Sequence, residues 1–242
     1  YKINTGDILT TLKGIDLNAF QIQQANGVLK NEDELEKSRV EAGKLLPATE
    51  TTLAYDANYQ FDEPTDKTQD IGINVCYRYA TLGSADACLR KEVTKPSTEA
   101  QCKVEELKKV GNSGAPVQIE EMSTRSSGSN EVMVTFVVRN KGSGLVHPPG
   151  TFTTKCVKNE DAEDRLKLEV FSGSGRYTPQ CSQLGNKNIG ELKLTNNEKV
   201  VRCKIKTINS PESPVEEPLN IRATYFYRNA ISTQFIVEDS EN

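Results

Sequence analysis

Tryptophan is absent from this 242-residue chain, histidine occurs once and methionine twice. A single histidine excludes a His-rich zinc, copper or iron centre. None of the six cysteines forms a Cys-x-x-Cys pair, so a zinc ribbon and a thioredoxin-type redox site lose their main signal. The longest apolar run, Val132 to Val138 with Thr135 inside it, is about seven residues, against the roughly 20 a membrane helix needs. No membrane span is therefore expected within this chain. Thirty Lys+Arg against 34 Asp+Glu give a net charge of −4 with no basic stripe, which argues against nucleic acid as a partner. No Asn-x-Ser/Thr acceptor occurs, which disfavours a pathway that glycosylates at that signal. The chain starts at Tyr1 rather than Met, which reads as a removed leader or a fragment.

What is present is mainly β. The expected fold is two immunoglobulin-like antiparallel β-sandwich domains behind a partly helical N-terminal arm. The arm is residues 1–46. Thr5 is placed as the N-cap of a short helix through Ile8, Leu9 and Leu12, stopped by Gly14. Asn31 with Glu34 three residues on opens a second, charged helix to about Ala42. The expected small sandwich is 47–110 and the larger one 111–242, with 91–116 as a polar linker.

From Thr51 the period becomes two. Leu53, Tyr55, Ala57, Tyr59 and Phe61 alternate with polar or small residues, as in a half-buried strand. Ile71, Ile73, Val75, Tyr77 and Tyr79 read as the next strand. Ala80 to Ser84 reads as its turn, and Ala85, Ala87 and Leu89 as the return strand. Centring that hairpin on Leu82 opposes Cys76 to Cys88 on the face away from the apolar set, at a spacing compatible with a disulfide. The rival is that Cys102 takes one of the two. Further strands are expected around Val117, over Val132–Val138, at Phe152–Cys156, Leu166–Val170, Ile189–Leu194 and Val201–Ile205. Ile221–Tyr227 is expected to pair with Ile231–Val237 through a turn at Arg228-Asn229. The segments Ile73–Tyr79 and Ile221–Tyr227 share the pattern Ile-x-x-x-Tyr-x-Tyr, an internal echo consistent with two like domains.

An even cysteine count at scattered, strand-like positions points to structural disulfides in an oxidising compartment, extracellular or at a cell surface. Cys156 and Cys203 both lie on presumed core faces, so a Cys156–Cys203 bridge is one expectation and Cys102–Cys181 then follows. With Cys76–Cys88 set, the other four allow three connectivities.

Two stretches of the second half, Val134-Thr-Phe-Val-Val-Arg-Asn-Lys-Gly-Ser-Gly144 and Leu192-Lys-Leu-Thr-Asn-Asn-Glu-Lys-Val-Val-Arg202, resemble the cell-adhesion-related immunoglobulin-like domain of bacterial and archaeal surface proteins. In the first half, Val75-Cys-Tyr-Arg-Tyr-Ala-Thr81 with Ala87-Cys-Leu89 is similar to segments of uncharacterised archaeal secreted or membrane-anchored proteins. Together these stretches cover 32 of the 242 residues. The sequence departs from the adhesion-related domain in its three cysteines there and in a Pro/Glu loop at 210–218. The resemblance implies a surface setting and no ligand.

No catalytic constellation is visible. His147, in Leu-Val-His-Pro-Pro-Gly, has no nucleophile beside it and reads as a surface residue. The acidic clusters Asp62, Glu63, Asp66, Asp70 and Glu160, Asp161, Glu163, Asp164 lack calcium-loop spacing. Phe171-Ser-Gly-Ser-Gly-Arg176 lacks the Lys-Ser/Thr ending of a phosphate loop. No cofactor and no metal site is expected. The function expected is non-enzymatic: a structural subunit of a cell-surface filament, sheath or envelope assembly, whose partners are copies of itself or other surface proteins. The alternatives are an adhesion or carbohydrate-binding module, for which Tyr59, Tyr177 and Tyr227 are the candidate aromatics, and then a hydrolase on a sandwich scaffold.

Overall fold

The computed structural model describes residues 3–36, 38–92, 94, 102–210 and 212–239. In chain order the strands are β1 (Ile8–Lys13), β2 (Val28–Lys30), β3 (Arg39–Glu41), β4 (Lys44–Leu46), β5 (Lys67–Leu89), β6 (Glu106–Lys108), β7 (Gly111–Asn112), β8 (Val117–Ser126), β9 (Glu131–Asn140), β10 (Leu145–His147), β11 (Arg165–Ser172), β12 (Gln180–Cys181), β13 (Ile189–Lys193), β14 (Glu198–Lys206) and β15 (Val215–Val237). Mainly β, with antiparallel pairing, is thus the observed class. Among the described residues the helical elements are three short 3-10 turns.

The chain forms two compact units, but not at the expected boundaries of 46 and 110. The first holds residues 1–79, 143–163 and 226–242, and the second holds 80–142 and 164–225. Both β5 and β15 contribute to each unit.

The expected helices of the N-terminal arm are not there. Ile8–Lys13 is β1, an inner strand between β2 and β5. Its Thr10-Thr11 pair is β-branched and buried at 5% and 7% exposure, one residue on each face, which a strand accommodates and a one-sided helix does not. Gly14 does end an element, with φ +87°, but the element is this strand. Asn31 caps no helix. Its side-chain oxygen accepts from the Ile8 N–H (2.8 Å), and its amide donates to the carbonyls of Asn4 (2.9 Å) and Asp33 (2.7 Å). Of the rest of the supposed second helix, Leu35 bridges Ile3, and Arg39–Glu41 is one strand of the β3–β4 hairpin, a two-stranded sheet of its own.

Two expected hairpins are each one strand of 23 residues. In β5, the Ala80–Ser84 stretch does not turn. Thr81 is buried, and its hydroxyl donates to the Val117 carbonyl (2.8 Å) and lies 3.1 Å from the Tyr225 hydroxyl. A Cβ on Gly83 would sit 2.7 Å from Ile119 Cγ1, so this glycine serves close approach rather than a bend. In β15, Arg228 continues the ladder opposite Leu145, and Asn229 is not among the positive-φ residues a two-residue hairpin turn requires. The expected Phe152–Cys156 strand is also absent; that segment runs without a ladder. By contrast, the Asn196-Asn197 turn is present, both residues at positive φ (54° and 66°), between β13 and β14.

The continuous β5 removes the Cys76–Cys88 bond, because residues of one unreversed strand cannot oppose each other. The bonds are Cys76–Cys156, Cys88–Cys102 and Cys181–Cys203. The rival reading in which Cys102 takes one of the first two thus describes Cys88. The Cys156–Cys203 and Cys102–Cys181 pairings are also replaced. Cys156 and Cys203 both point into cores, but into those of different units.

In the second unit, β13, β11, β15 and β5 form one sheet, with β7 on β5. The other runs β12, β14, β9, β8, β6. Their apolar rows, including Leu166, Leu168 and Ile221 from one sheet and Val134, Phe136 and Val201 from the other, are all fully buried. Loop 172–175 is held by Glu217, a buried carboxylate that accepts from Ser172 Oγ (2.6 Å) and the Ser174 N–H (2.9 Å).

In the first unit β15, β5, β1 and β2 lie in that order, with β10 on the outer side of β15 at 226–228. The sheet has two dressed faces. On one, Leu9, Cys76 and Phe226 meet Phe152 and Cys156, and the Cys156 N–H donates to Thr11 Oγ1 (3.0 Å). On the other, Leu12, Ile71, Ile73, Phe235 and Val237 meet Phe20, Ile22, Tyr55 and Tyr59.

Two outcomes follow for stability. Replacing Cys76 and Cys156 by serine opens a loop of sequence separation 80 and is expected to cost about 4–5 kcal/mol in the chain-entropy model, against about 3 for Cys88–Cys102 with separation 14. Chemical denaturation of the two double variants gives the order. Glu217 has a second signature. Burial alone would raise its carboxyl, yet the hydrogen bonds from Ser172 and Ser174, helped by Arg176, bring it below its ordinary value. Its contribution is complete above the usual glutamate range and is lost as pH falls through the depressed value. Thermal unfolding from about pH 6 down to pH 3 should show that loss, and Glu217→Gln, weaker by about 1–3 kcal/mol at neutral pH, should show a flatter profile.

Candidate functional site

The less covered face of the first unit carries the feature most open to a partner. Period two puts the odd residues of β5 and β15 and the even residues of β1 on this side. Over it pass two segments, 15–22 and 53–59. The second is the stretch expected to be a strand. It is extended but joins no ladder; its Asn58 and Gln60 N–H groups donate to the carbonyls of Phe20 (2.8 Å) and Ala19 (3.0 Å). Between cover and sheet lies a cavity of about 650 Å³. Leu12, Ile71, Ile73, Phe20, Tyr55, Tyr59, Phe235 and Val237 are among its walls.

The walls are aliphatic and aromatic, and their phenols are already engaged. Tyr55 Oη lies 2.7 Å from Thr10 Oγ1 and donates to the Gly27 carbonyl (3.1 Å). Tyr59 donates to Glu63, which also takes Lys67 Nζ (3.0 Å). The Tyr59 bond first, then Lys67, holds the Glu63 carboxyl below its usual range, and the same bond raises the Tyr59 phenol. Tyr77, farther along the face, is pushed up to about 12 by burial, then by Tyr227 and Tyr79. Each phenol therefore stays protonated at neutral pH. The cavity offers shape and apolar area rather than acid–base chemistry.

One wall of the cavity is also a sheet edge. Past Arg228, β15 loses its outer neighbour: β11 pairs residues 219–224, β10 pairs 226–228, and among the described residues no strand pairs the outer side of 229–237. That segment is Asn-Ala-Ile-Ser-Thr-Gln-Phe-Ile-Val, with no charged residue and no proline. Edges that avoid association usually carry a lysine, a proline, a bulge or a cover. Ile231 is 68% exposed and Ile236 is 59% exposed. Acidic groups gather nearby: Gln234 Nε2 donates to Asp70 (2.9 Å), and the Asp239 N–H donates to Asp66 (3.1 Å).

The residues singled out in the sequence lie elsewhere or are occupied. His147 is on β10 and fully buried rather than at the surface, its ring 4.7 Å from that of Phe152. Of the expected aromatics, Tyr177 and Tyr227 are buried, while Tyr59 meets the exposed Phe61 edge-to-face at 5.8 Å. Among the described residues no three His, Cys, Asp or Glu side chains are grouped to hold a metal ion. No helix among them is long and apolar enough to cross a membrane. The glycine-rich run 171–176 binds Glu217 through its serines. Missed in the sequence were the edge and the cavity. The signal for the edge was available, since the apolar parity of Leu219 to Tyr227 resumes in the same phase after Asn229, at Ile231, Phe235 and Val237.

No protein-family model matches the chain, and neither does any curated protein or solved structure.

An environment-sensitive apolar dye such as anilinonaphthalene sulfonate is expected to fluoresce with the native protein at neutral pH. Ala57→Trp, on the exposed rim of the cavity, should lower that signal while leaving the unfolding midpoint within about 2 °C, as for a surface change. Equal fluorescence in both proteins would place the dye elsewhere.

Proposed function

We propose that the chain is a non-enzymatic extracellular protein, a structural subunit of a cell-surface filament, sheath or envelope assembly that joins its neighbours by strand addition. The observation that carries this is the uncharged, proline-free β15 edge at 229–237 beside an apolar cavity. In strand addition, main-chain hydrogen bonds supply affinity and adjacent pockets for alternate side chains supply specificity. This edge offers both. Three disulfides fit an oxidising, extracellular setting.

The immunoglobulin-like reading is kept for the second unit alone, supported by its two facing antiparallel sheets and the tight Asn196-Asn197 hairpin. An archaeal surface origin rests on the resemblance of residues 75–81 and 87–89. The adhesion alternative has the Tyr59–Phe61 pair as its one aromatic support.

Sedimentation velocity over a hundredfold concentration range tests the proposal. Wild type should show association that rises with concentration. Ile231→Lys with Thr233→Lys, both at exposed positions, should remain monomeric with an unchanged fold. A wild type that stays monomeric at about 1 mM contradicts it.

A further inference from the structure

The partner for this edge can be sought among the other unsatisfied surfaces of the same unit. The β3–β4 hairpin stands out. Among the described residues it pairs only with itself, Val40 opposite Leu45, and both side chains are exposed, at 71% and 67%. A cross-strand apolar pair stabilises a hairpin when something covers it, and an isolated two-stranded hairpin is marginal in water. Glu36 and Thr49 fasten its base: the Glu36 N–H donates to Thr49 Oγ1 (2.6 Å) and the Thr49 N–H to the Glu36 carbonyl (3.0 Å). Beyond that base every residue from Ser38 to Leu45 is exposed.

We infer that the β3–β4 hairpin of one copy docks on the β15 edge at 229–237 of a second copy, setting Val40 and Leu45 against the apolar cavity. The inference rests on the assembly reading above and names its partner. Three properties match. The edge has unused main-chain groups, and the hairpin has strands with a free outer side. The cavity wall is apolar, and the hairpin presents one large apolar pair. Charge complements as well: Asp70 and Asp66 accept from Gln234 and the Asp239 N–H beside the edge, and Glu238 follows it, whereas the hairpin, its Arg39 paired with Glu36 and Glu41, presents Lys44. Docking gives the hairpin a third strand and the edge its missing neighbour. Donor and acceptor are different surfaces, so the contact is head-to-tail and propagates as a filament unless the rotation closes a ring.

Complementation between two blocked variants tests this. The hairpin variant carries Val40→Asp with Leu45→Asp and keeps its edge. The edge variant carries Ile231→Lys with Thr233→Lys and keeps its hairpin. All four positions are exposed, and matching thermal unfolding checks the fold. Each alone should self-associate at least tenfold more weakly than wild type. Mixed in equal amounts they should form dimers and nothing larger, because each supplies the half the other lacks. If the hairpin variant associates like wild type while the edge variant does not, the inference fails and the assembly reading stands. If each variant alone is monomeric and the mixture stays monomeric too, hairpin and edge do not complement each other and the inference fails again. A monomeric wild type overturns both.

Discussion

Period-two alternation sustained through β5 and β15 is the constraint on which the remaining elements depend. A strand's side chains alternate faces without slippage, so a single register fixes what every residue along it meets. In the first unit the even face of β5 turns Cys76 toward Cys156, and that bond holds the 148–163 segment where no ladder would. The odd face turns Ile71 and Ile73 toward the cavity. In the second unit the same odd parity brings Thr81 and Gly83 against β8. Thr81 is short enough to bond Val117, and Gly83 is bare enough to admit Ile119. A larger or charged residue at either position would force the facing sheets apart.

The strength of the paired parts sets off the unpaired one. Between Leu219 and Arg228 β15 has outer neighbours, and its residues from Leu219 to Tyr227 are largely buried. After Arg228 the outer neighbour ends, and the same strand becomes exposed and apolar. Nothing in the sequence of that last stretch resists another strand. The hairpin at 39–46 has the converse deficit, with strands paired to each other and an apolar pair uncovered. Burying Val40 and Leu45 would contribute a few kcal/mol before the cost of association. A single contact of this kind is therefore weak, and it becomes consequential where copies are concentrated at a surface.

Much of the strand content could be read from apolar spacing, and β9, β11, β13 and β14 fall where alternation put them. The failures have physical causes. Gly83 and Asn229 look like turn residues, but one serves close packing and the other continues a ladder. The alternation across both positions never changes phase, which was the better guide. Asn31 and Glu34 resemble a helix start, yet Asn31 spends its side chain on the first N–H of β1 and two loop carbonyls. Met122 lies inside because Glu121, at φ +52°, adds one residue to β8 and shifts the register opposite β9; no local pattern announces that bulge. Disulfide partners depend on which segments share a unit, and interleaved units put that beyond sequence spacing. The cavity joins residues from four separated stretches, so it too needed the fold. The edge was legible as composition, but its missing neighbour was not.

The most direct measurement is amide hydrogen exchange at two protein concentrations a hundredfold apart. Strand addition predicts that amides in 229–237 and 39–46 gain protection at the higher concentration, while the amides of β9 and β14 do not change. Equal exchange in both segments at both concentrations, in a sample shown to associate, would contradict it.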